Sequence, residues 1–390
     1  MTPGLTIAVA ARNAAATIAR AIASCVPETH ARLLLIDDHS TDDTVAIARS
    51  IAGHQLHVVS TPDPGGVSLA RQTGLDVVET EFTAWLDADD EWVPGRADRL
   101  SAMLSDGYDV ATEAIDLCDG ATGGRLKQLT VPAFLRRPGA AVRLFERNVL
   151  PGDTQVAFRT DAYRAAGGYD TAIIGPESFD LLLRALRQGA RIAFGDDAGY
   201  RMYAYPGSVS RQVDRQSAAI AATLRKHEYA DIERLYSEAG YDERVTAWGL
   251  VSMALFRNEP LPALRFLAAA SPDGADPEEV LEPEGPWPMR EGWRGAFTRG
   301  TLLLMLGGRD REAEDELRRA ESLEQTPEGA NNLGVALARR GDDAAAREQF
   351  ALAATRFRGY YDARLNAGAD APCRITTHPL RRAASRNDYR

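Results

Sequence analysis

The first 90 residues alternate short apolar runs with segments of helical periodicity, and this alternation constrains the fold most. Four runs rich in β-forming residues predict buried strands at residues 5–11, 33–36, 56–59 and 82–86. The intervening residues 14–25, 44–51 and 67–78 carry apolar positions at helical spacing. Strands that alternate with helices form right-handed crossovers. We therefore predict an α/β fold of Rossmann-like type with a mainly parallel sheet.

Acidic clusters directly follow two of these runs. Asp37 and Asp38 come after the second run, and Asp87 and Asp89 come after the fourth. Ligands of open α/β sheets bind outside the carboxyl ends of the strands, so the two clusters are expected to converge on one pocket. Carboxylates two residues apart on an extended segment share a face, and hard oxygen ligands suit Mg²⁺ or Mn²⁺. The clusters therefore indicate a nucleotide and metal site.

Composition narrows the class of protein. The chain has 390 residues, which favours two domains, and a net charge of −11, which disfavours nucleic acid and anionic membranes as partners. Its three scattered cysteines favour reduced thiols and a cytoplasmic location. The chain begins without the pattern of a secretion signal, and no apolar run approaches the roughly 18 residues of a transmembrane segment. We expect a cytosolic protein.

A second, all-helical domain is predicted from about Ser217. Two segments within it resemble tetratricopeptide helix pairs, with glycines at 300 and 334 and alanines at 313 and 346. Generic paired helices are the alternative. The Pro- and acid-rich residues 272–288 interrupt the helices as a loop or hinge. We predict a tetratricopeptide-like domain over residues 217–370 and a basic tail over residues 371–390.

Seven short motifs follow one another in the order found in a known family. Over residues 4–211 the chain resembles the family 2 glycosyltransferases with the GT-A fold, which are inverting enzymes that use nucleotide-diphosphate sugars. The matching motifs are residues 11–13, 37–42, 65–71, 85–90, 167–170, 177–181 and 206–210. This resemblance implies a GT-A glycosyltransferase domain at residues 1–216.

The resemblance also implies roles for individual residues. Asp89 would bind Mg²⁺ or Mn²⁺ directly, and Asp87 would contact the ribose or the metal through water. Asp38 would accept the N3–H of a pyrimidine base, with a helix cap as the alternative. Arg71 would meet phosphate or the strand-end carboxylates, with a surface salt bridge as the alternative. The complete set of residues expected to bind the nucleotide sugar is Ala11, Asn13, Asp37, Asp38, Arg71 and Asp87.

The catalytic base is the point at which this chain departs from its relatives. They commonly carry a carboxylate that removes the acceptor proton at the position of Ser178. A neutral hydroxyl is a poor base, so either Glu177 or Asp180, one helical turn apart, takes the role, or neither does. Pro176 resembles the first residue of a helix, which puts Glu177 near the positive end of the helix dipole.

These inferences predict an inverting, metal-dependent hexosyltransferase. It would move a sugar from a UDP-sugar, or else a dTDP- or GDP-sugar, to a glycan, natural-product, peptide or protein acceptor. The helical domain would form a homodimer or hold a protein or peptide acceptor. Two alternatives stay open. A sugar-1-phosphate nucleotidyltransferase would need a Gly-rich basic first loop, which residues 11–16 do not provide, and a non-catalytic scaffold is favoured by Ser178.

Overall fold

The protein divides into two compact units. The computed structural model describes residues 2–152, 155–173, 175–205, 213–270, 292–358, 360–368 and 373–378. The first unit comprises Met1–Leu144 and Asn148–Ala219, and the second comprises Phe145–Arg147 and Ile220–Arg390. The predicted motif at 206–210 and the predicted hinge at 272–288 lie outside the described residues, as does the predicted tail except for 373–378.

A nine-stranded sheet forms the centre of the first unit. Its hydrogen-bonded order is β3-β2-β1-β4-β8-β6-β9-β5, and β7 pairs with β6. The strands are β1 Thr2–Ala11, β2 Ala31–Asp37, β3 Leu56–Ser60, β4 Thr80–Asp87, β5 Glu91–Trp92, β6 Val110–Asp119, β7 Arg125–Leu129, β8 Ala157–Arg159 and β9 Ile192–Ala204. The four strands predicted near the N-terminus are present, and they pair in parallel as expected.

The register of these parallel strands explains why the acidic motifs meet. Strand β1 lies between β2 and β4, with Ala11 opposite Asp37 and Ala10 opposite Asp87. The buried apolar side chains of the strands exclude water from the sheet and set this register. Both acidic strand ends therefore lie at one edge of the sheet.

The second half of the sheet is mixed. Strand β8 runs antiparallel to both β4 and β6, whereas β9 is parallel to β6 and antiparallel to β5. Residues 109–114 and 155–158 have strand-like patterns in the sequence, which predict parts of β6 and β8, whereas β9 has no such pattern. Gly195, Asp196, Asp197 and Gly199 interrupt the apolar pattern of β9, and these residue types are depleted from strands. Pairing with β6, through two register shifts, nevertheless holds this segment in the sheet.

Among the described residues before β9, the sheet is accompanied by six α-helices. They are α1 Ile18–Cys25, α2 Thr44–Ala52, α3 Val67–Val77, α4 Arg96–Ser105, α5 Thr160–Ala165 and α6 Glu177–Arg187. Helix α3 packs closely on the sheet at Gly74, where an added Cβ would lie 2.8 Å from the Trp85 ring. Helix α6 begins at Glu177 and has Pro176 as its N-cap, so the predicted position of Pro176 as the first helical residue was wrong by one.

Most of the described residues after the sheet are helical. Helix α7, Val213–Leu224, runs through the predicted domain boundary. It is followed by α8 Tyr229–Glu238, α9 Glu243–Phe256, α10 Pro260–Ala270, α11 Trp293–Leu306, α12 Asp310–Leu323, α13 Pro327–Arg339, α14 Asp343–Arg356 and α15 Tyr361–Ala367. The C-terminal region is therefore helical, as expected, while its relation to tetratricopeptide repeats stays a prediction. None of the helices in the described ranges has the length and hydropathy needed to span a bilayer.

Candidate active site

Asp38 anchors the glycine turn that precedes α3. Its Oδ1 accepts hydrogen bonds from the Thr61 hydroxyl at 2.9 Å and the Gly65 N–H at 3.0 Å. Its Oδ2 accepts from the Gly66 N–H at 2.9 Å and from Arg12 at 3.3 Å. Burial alone would raise the pKa of this carboxyl, but these donors together lower it below its ordinary value. Asp38 is therefore an ionised carboxylate whose lone pairs are already used by the protein.

The other predicted nucleotide residues near β1 and β2 surround the same strand ends. Ala11 is buried at the end of β1, and the buried carboxylate of Asp37 accepts the Ser40 N–H at 3.2 Å. Asn13 has a left-handed backbone, with φ of 50°, and its Oδ1 accepts the Thr41 N–H at 2.8 Å. These contacts join the loop after β1 to the loop after β2.

Arg71 connects the two other motifs. From α3, its guanidinium donates to Asp87 Oδ1 at 2.8 Å, to Glu177 Oε1 at 2.6 Å and to Ser178 Oγ at 2.7 Å. The Arg71 and Glu177 side chains are each 2% exposed, so this is a buried ion pair and not a surface salt bridge. Trp85 lies beside the guanidinium, with 5.7 Å between the ring centroid and Arg71 Cζ. The end of β4 and the start of α6 thus meet through one cation.

Three carboxylates crowd the turn after β4. Asp87 remains one-third exposed, whereas Asp90 is buried. Burial and the neighbouring charge of Asp87 raise the pKa of Asp89 to about 6. Burial, together with the charges of Asp87 and Asp89, raises the pKa of Asp90 well above its ordinary value. Ionisation of all three carboxylates is therefore unfavourable unless a cation compensates them, so a cation bound at this turn would be stabilised.

The two candidates for the base have different surroundings. Glu177 shares the Arg71 guanidinium with Asp87 and Ser178. Its Oε2 accepts the Gly175 N–H at 3.0 Å. Asp180 is fully buried one turn later, and its Oδ2 accepts from Arg184 at 2.8 and 2.9 Å. Arg184 also donates to the carbonyl oxygens of Ala166 and Gly168. Asp180 therefore holds the turn at residues 167–170 through Arg184, whereas Glu177 faces the predicted site.

Two further residues shape the site and were missed from the sequence. Gln155 Nε2 donates to Asp87 Oδ2 at 2.9 Å. The buried Tyr200 hydroxyl accepts the Asp87 N–H at 3.1 Å and donates to Asp90 Oδ2 at 2.9 Å. Gln155 could have been recognised as a polar residue at the start of an apolar strand. Tyr200 could not, because the strand that carries it, β9, lacked a strand pattern.

Two carboxylates at the end of β4 could hold a divalent cation. Within the described ranges, no three His, Cys, Asp or Glu side chains gather into a metal-binding group. Asp87 and Asp89 supply two hard oxygen donors at this crowded turn. Mg²⁺ typically takes one or two carboxylates and completes its shell with substrate phosphates and water. These residues fit an ion that binds together with a diphosphate.

The chain is similar in sequence to known proteins. The family model "Glycosyl transferase family 2" matches residues 6–165. The succinoglycan biosynthesis protein ExoO of Rhizobium meliloti is 30% identical over 252 residues, which cover 58% of this chain and 69% of ExoO. The uncharacterized glycosyltransferase YibD of Escherichia coli K12 is 30% identical over 258 residues, which cover 60% of this chain and 72% of YibD.

A likeness to a solved structure extends over more of the chain. The crystal structure of S. aureus TarS aligns with 93% of this chain at 17% identity and a TM-score of 0.48. The aligned part covers 56% of the TarS chain. The chain thus spans about two thirds of ExoO and YibD and little more than half of TarS.

Proposed function

Because this chain belongs to glycosyl transferase family 2 and is a glycosyltransferase, we propose that it moves a sugar from a nucleotide-diphosphate sugar to an acceptor with inversion. A UDP-sugar is the favoured donor. The acceptor class is a glycan, natural product, peptide or protein. In a single in-line step, the acceptor oxygen bonds to the anomeric carbon as the bond to the diphosphate oxygen breaks.

The observation that carries the proposal is the cluster around Arg71. It brings Asp87, at the end of β4, within hydrogen-bonding distance of the same guanidinium as Glu177, 106 residues away from Arg71 in sequence. A cation and an acidic strand end side by side suit a diphosphate, whose charge grows as the sugar departs. Arg71 would hold Asp87 in position and offset the charge of the leaving group.

The nucleotide half of the donor would lie beside Asp37, Asp38 and Asn13. Because four protein donors already occupy the Asp38 carboxylate, a base contact requires one of them to leave. Arg12 is the donor that can do so, since its side chain is half exposed and its bond is the longest. Departure of Arg12 would open Asp38 Oδ2 to the N3–H of a pyrimidine.

A divalent metal completes this proposal. When bound, Mg²⁺ or Mn²⁺ would neutralise charge on the diphosphate. Asp89 would hold it, with Asp87 beside it. Gln155 and Arg71 fix the orientation of Asp87, so that its carboxylate keeps facing the site.

Chelation and substitution test the metal requirement. We expect Asp89→Asn to abolish transfer and excess chelator to mimic the variant, since either leaves the diphosphate charge uncompensated. The matched control is Asp161→Asn, a carboxylate on α5 that is 72% exposed. Transfer and hydrolysis of a panel of UDP-, dTDP- and GDP-sugars are the measurements. Unchanged transfer in chelator and in Asp89→Asn would refute the metal requirement.

Glu177 is our proposed general base, because it shares the Arg71 guanidinium with the strand-end carboxylate of Asp87, whereas Asp180 is fully buried against Arg184 one helical turn later. We expect Glu177→Gln to lower turnover at saturating donor by about 10²- to 10⁴-fold, the usual contribution of a general base. Asp180→Asn is expected to lower thermal stability more than turnover per folded molecule. Glu79→Gln, 77% exposed, is the control for the chemical change. Normal turnover in Glu177→Gln with a selective loss in Asp180→Asn would assign the base to Asp180.

A further inference from the structure

Residues 373–378 are held by asparagine side chains of the helical unit. Asn366, on α15, accepts the Arg374 N–H at 2.6 Å and donates to the Arg374 carbonyl oxygen at 2.9 Å. Asn332, on α13, accepts the Thr376 N–H at 2.8 Å and donates to the Thr376 carbonyl oxygen at 2.8 Å. Each asparagine thus binds both backbone groups of one residue.

This pattern is the one by which a β-strand is recognised. In an extended chain, the N–H and C=O of one residue face the same side, and residues two apart repeat that direction. Side-chain amides present one donor and one acceptor at a similar spacing, so they can take the place of a neighbouring strand. Contacts of this kind recognise the backbone, and they are therefore independent of the ligand's sequence.

A third asparagine joins the two into one site. Asn331 Nδ2 donates to the Arg374 carbonyl oxygen at 3.1 Å and to Thr376 Oγ1 at 3.1 Å, and its Oδ1 accepts from Asn366 at 2.9 Å. Asn331 and Asn332 are 0% exposed. Buried amides are costly without partners, so this arrangement depends on the backbone groups of residues 373–378 being present. We call Asn331, Asn332 and Asn366 the asparagine clamp.

One carboxylate adds a preference for particular side chains. Asp362 Oδ1 accepts from Arg374 Nε at 2.9 Å, and Asp362 Oδ2 accepts from Thr376 Oγ1 at 2.8 Å. Between them, Ile375 packs against the apolar core of the helices. The site thus contacts a basic side chain, an aliphatic side chain and a hydroxyl group in succession. A basic strand also suits a chain with a net charge of −11.

We propose that the asparagine clamp is a binding site for an extended polypeptide, which residues 373–378 fill in cis. A strand of another protein with the order basic, aliphatic, hydroxyl would take the same site in trans. The covalent link gives the chain's own segment a high effective concentration, so an external strand must compete with it. This site is separate from the sugar-transfer chemistry, and it does not depend on the proposed donor or acceptor.

Cutting the covalent link in the full-length chain tests the proposal. A protease recognition sequence inserted after Gly368 allows the segment to be released from an otherwise complete protein. The probe is a fluorescent peptide of residues 373–378 with blocked ends. We expect saturable binding to the cut chain and at least about tenfold weaker binding to the uncut chain, because the tethered segment competes.

Controls separate backbone recognition from nonspecific adhesion. Asn332→Leu in the cut chain, and N-methylation of the peptide at the Thr376 position, should each weaken binding by about tenfold or more. N-methylation at the Ile375 position, whose N–H is outside the bonds made by the clamp, should have a clearly smaller effect. Equal effects of the two methylations would overturn backbone recognition.

Three further outcomes would also overturn the proposal. If cutting unfolds the helices, as measured by circular dichroism, or if the probe does not bind the cut chain, the segment is a permanent part of the core. If light scattering instead finds two chains that exchange their segments, the clamp serves a second copy of this chain. Retained helicity together with saturable, clamp-dependent binding supports the proposal.

Discussion

At the scale of single residues, the neighbours of a side chain decide its role more than its chemical type does. Asp38 and Asp180 are both buried carboxylates, but one holds a glycine turn and the other holds an arginine. Glu177 shares its cation with Asp87 and so belongs to the site. Equivalent substitutions at these positions should therefore have different consequences.

Asp38→Ala should lower the stability of the first unit. It leaves the buried Thr61 hydroxyl and the more exposed N–H groups of Gly65 and Gly66 without their acceptor. A buried donor left unsatisfied costs about 1–3 kcal/mol, so we expect the free energy of unfolding to fall by about 1–3 kcal/mol in chemical denaturation. Asp63→Ala, an exposed position in the adjacent turn, should have little effect. If the stability is unchanged and calorimetry shows that nucleotide binding is lost, Asp38 serves only to bind the nucleotide base.

At the scale of secondary structure, glycines set the distance between paired helices. An added Cβ at Gly300 would lie 2.6 Å from Leu317 Cγ, and one at Gly334 would lie 2.5 Å from Phe350 Cε1. These glycines were selected from the sequence for their spacing, and both lie at close helix contacts. The contacts bring α11 against α12, and α13 against α14.

Gly334→Ala should destabilise the helical unit although alanine is the better helix former. Propensity alone would favour the variant by about 1 kcal/mol, but the new methyl group would overlap the rigid Phe350 ring. The sign of the change in melting temperature is the diagnostic. We expect a decrease, and less of a decrease when the substitution is made in a Phe350→Leu background. A higher melting temperature for Gly334→Ala alone would show that α13 and α14 separate at little cost.

At the scale of the whole molecule, the last described residues stabilise the unit that contains them. His378 stacks on Phe256, with 3.5 Å between the ring centroids, and its Nε2 lies 3.1 Å from the Ser252 carbonyl oxygen. Burial, together with the nearby charges of Arg147 and Arg294, lowers the pKa of His378 to about 3. The hydrogen bond to Ser252 acts in the opposite direction and raises this pKa, but its effect is smaller. The folded state therefore favours neutral His378.

Lowering the pH should reduce the stability of the helical unit because of the shifted pKa of His378. Well above its ordinary pKa of 6.5, His378 is neutral in both the folded and the unfolded chain. Its full contribution to the stability of the folded state is therefore present at that pH. As the pH falls from 6.5 towards about 3, the unfolded state binds a proton that the folded state does not, and stability decreases. We expect His378→Gln to reduce this slope in thermal melts at several pH values. An unaltered slope would contradict the assignment.

The local pattern of the sequence determined the elements near the N-terminus and the order of the motifs. Strands β1 to β4 could be predicted because they are continuous apolar runs, and their carboxyl ends carry the acidic residues. Glycines at repeat spacing likewise predicted close helix contacts. Such features depend on residues adjacent in the chain, so periodicity is sufficient to find them.

Tertiary structure alone decided which distant residues meet. Arg71 binds Asp87 and Glu177 because α3, β4 and α6 pack around one buried guanidinium, and no local pattern records that choice. Strand β9 was missed because pairing with β6 overrides its glycines and aspartates, and Tyr200 was missed with it. The asparagine clamp joins residues 331, 332, 366, 374 and 376 in the same way. Burial makes hydrogen bonds between such residues obligatory, and only the packed chain shows which pairs form them.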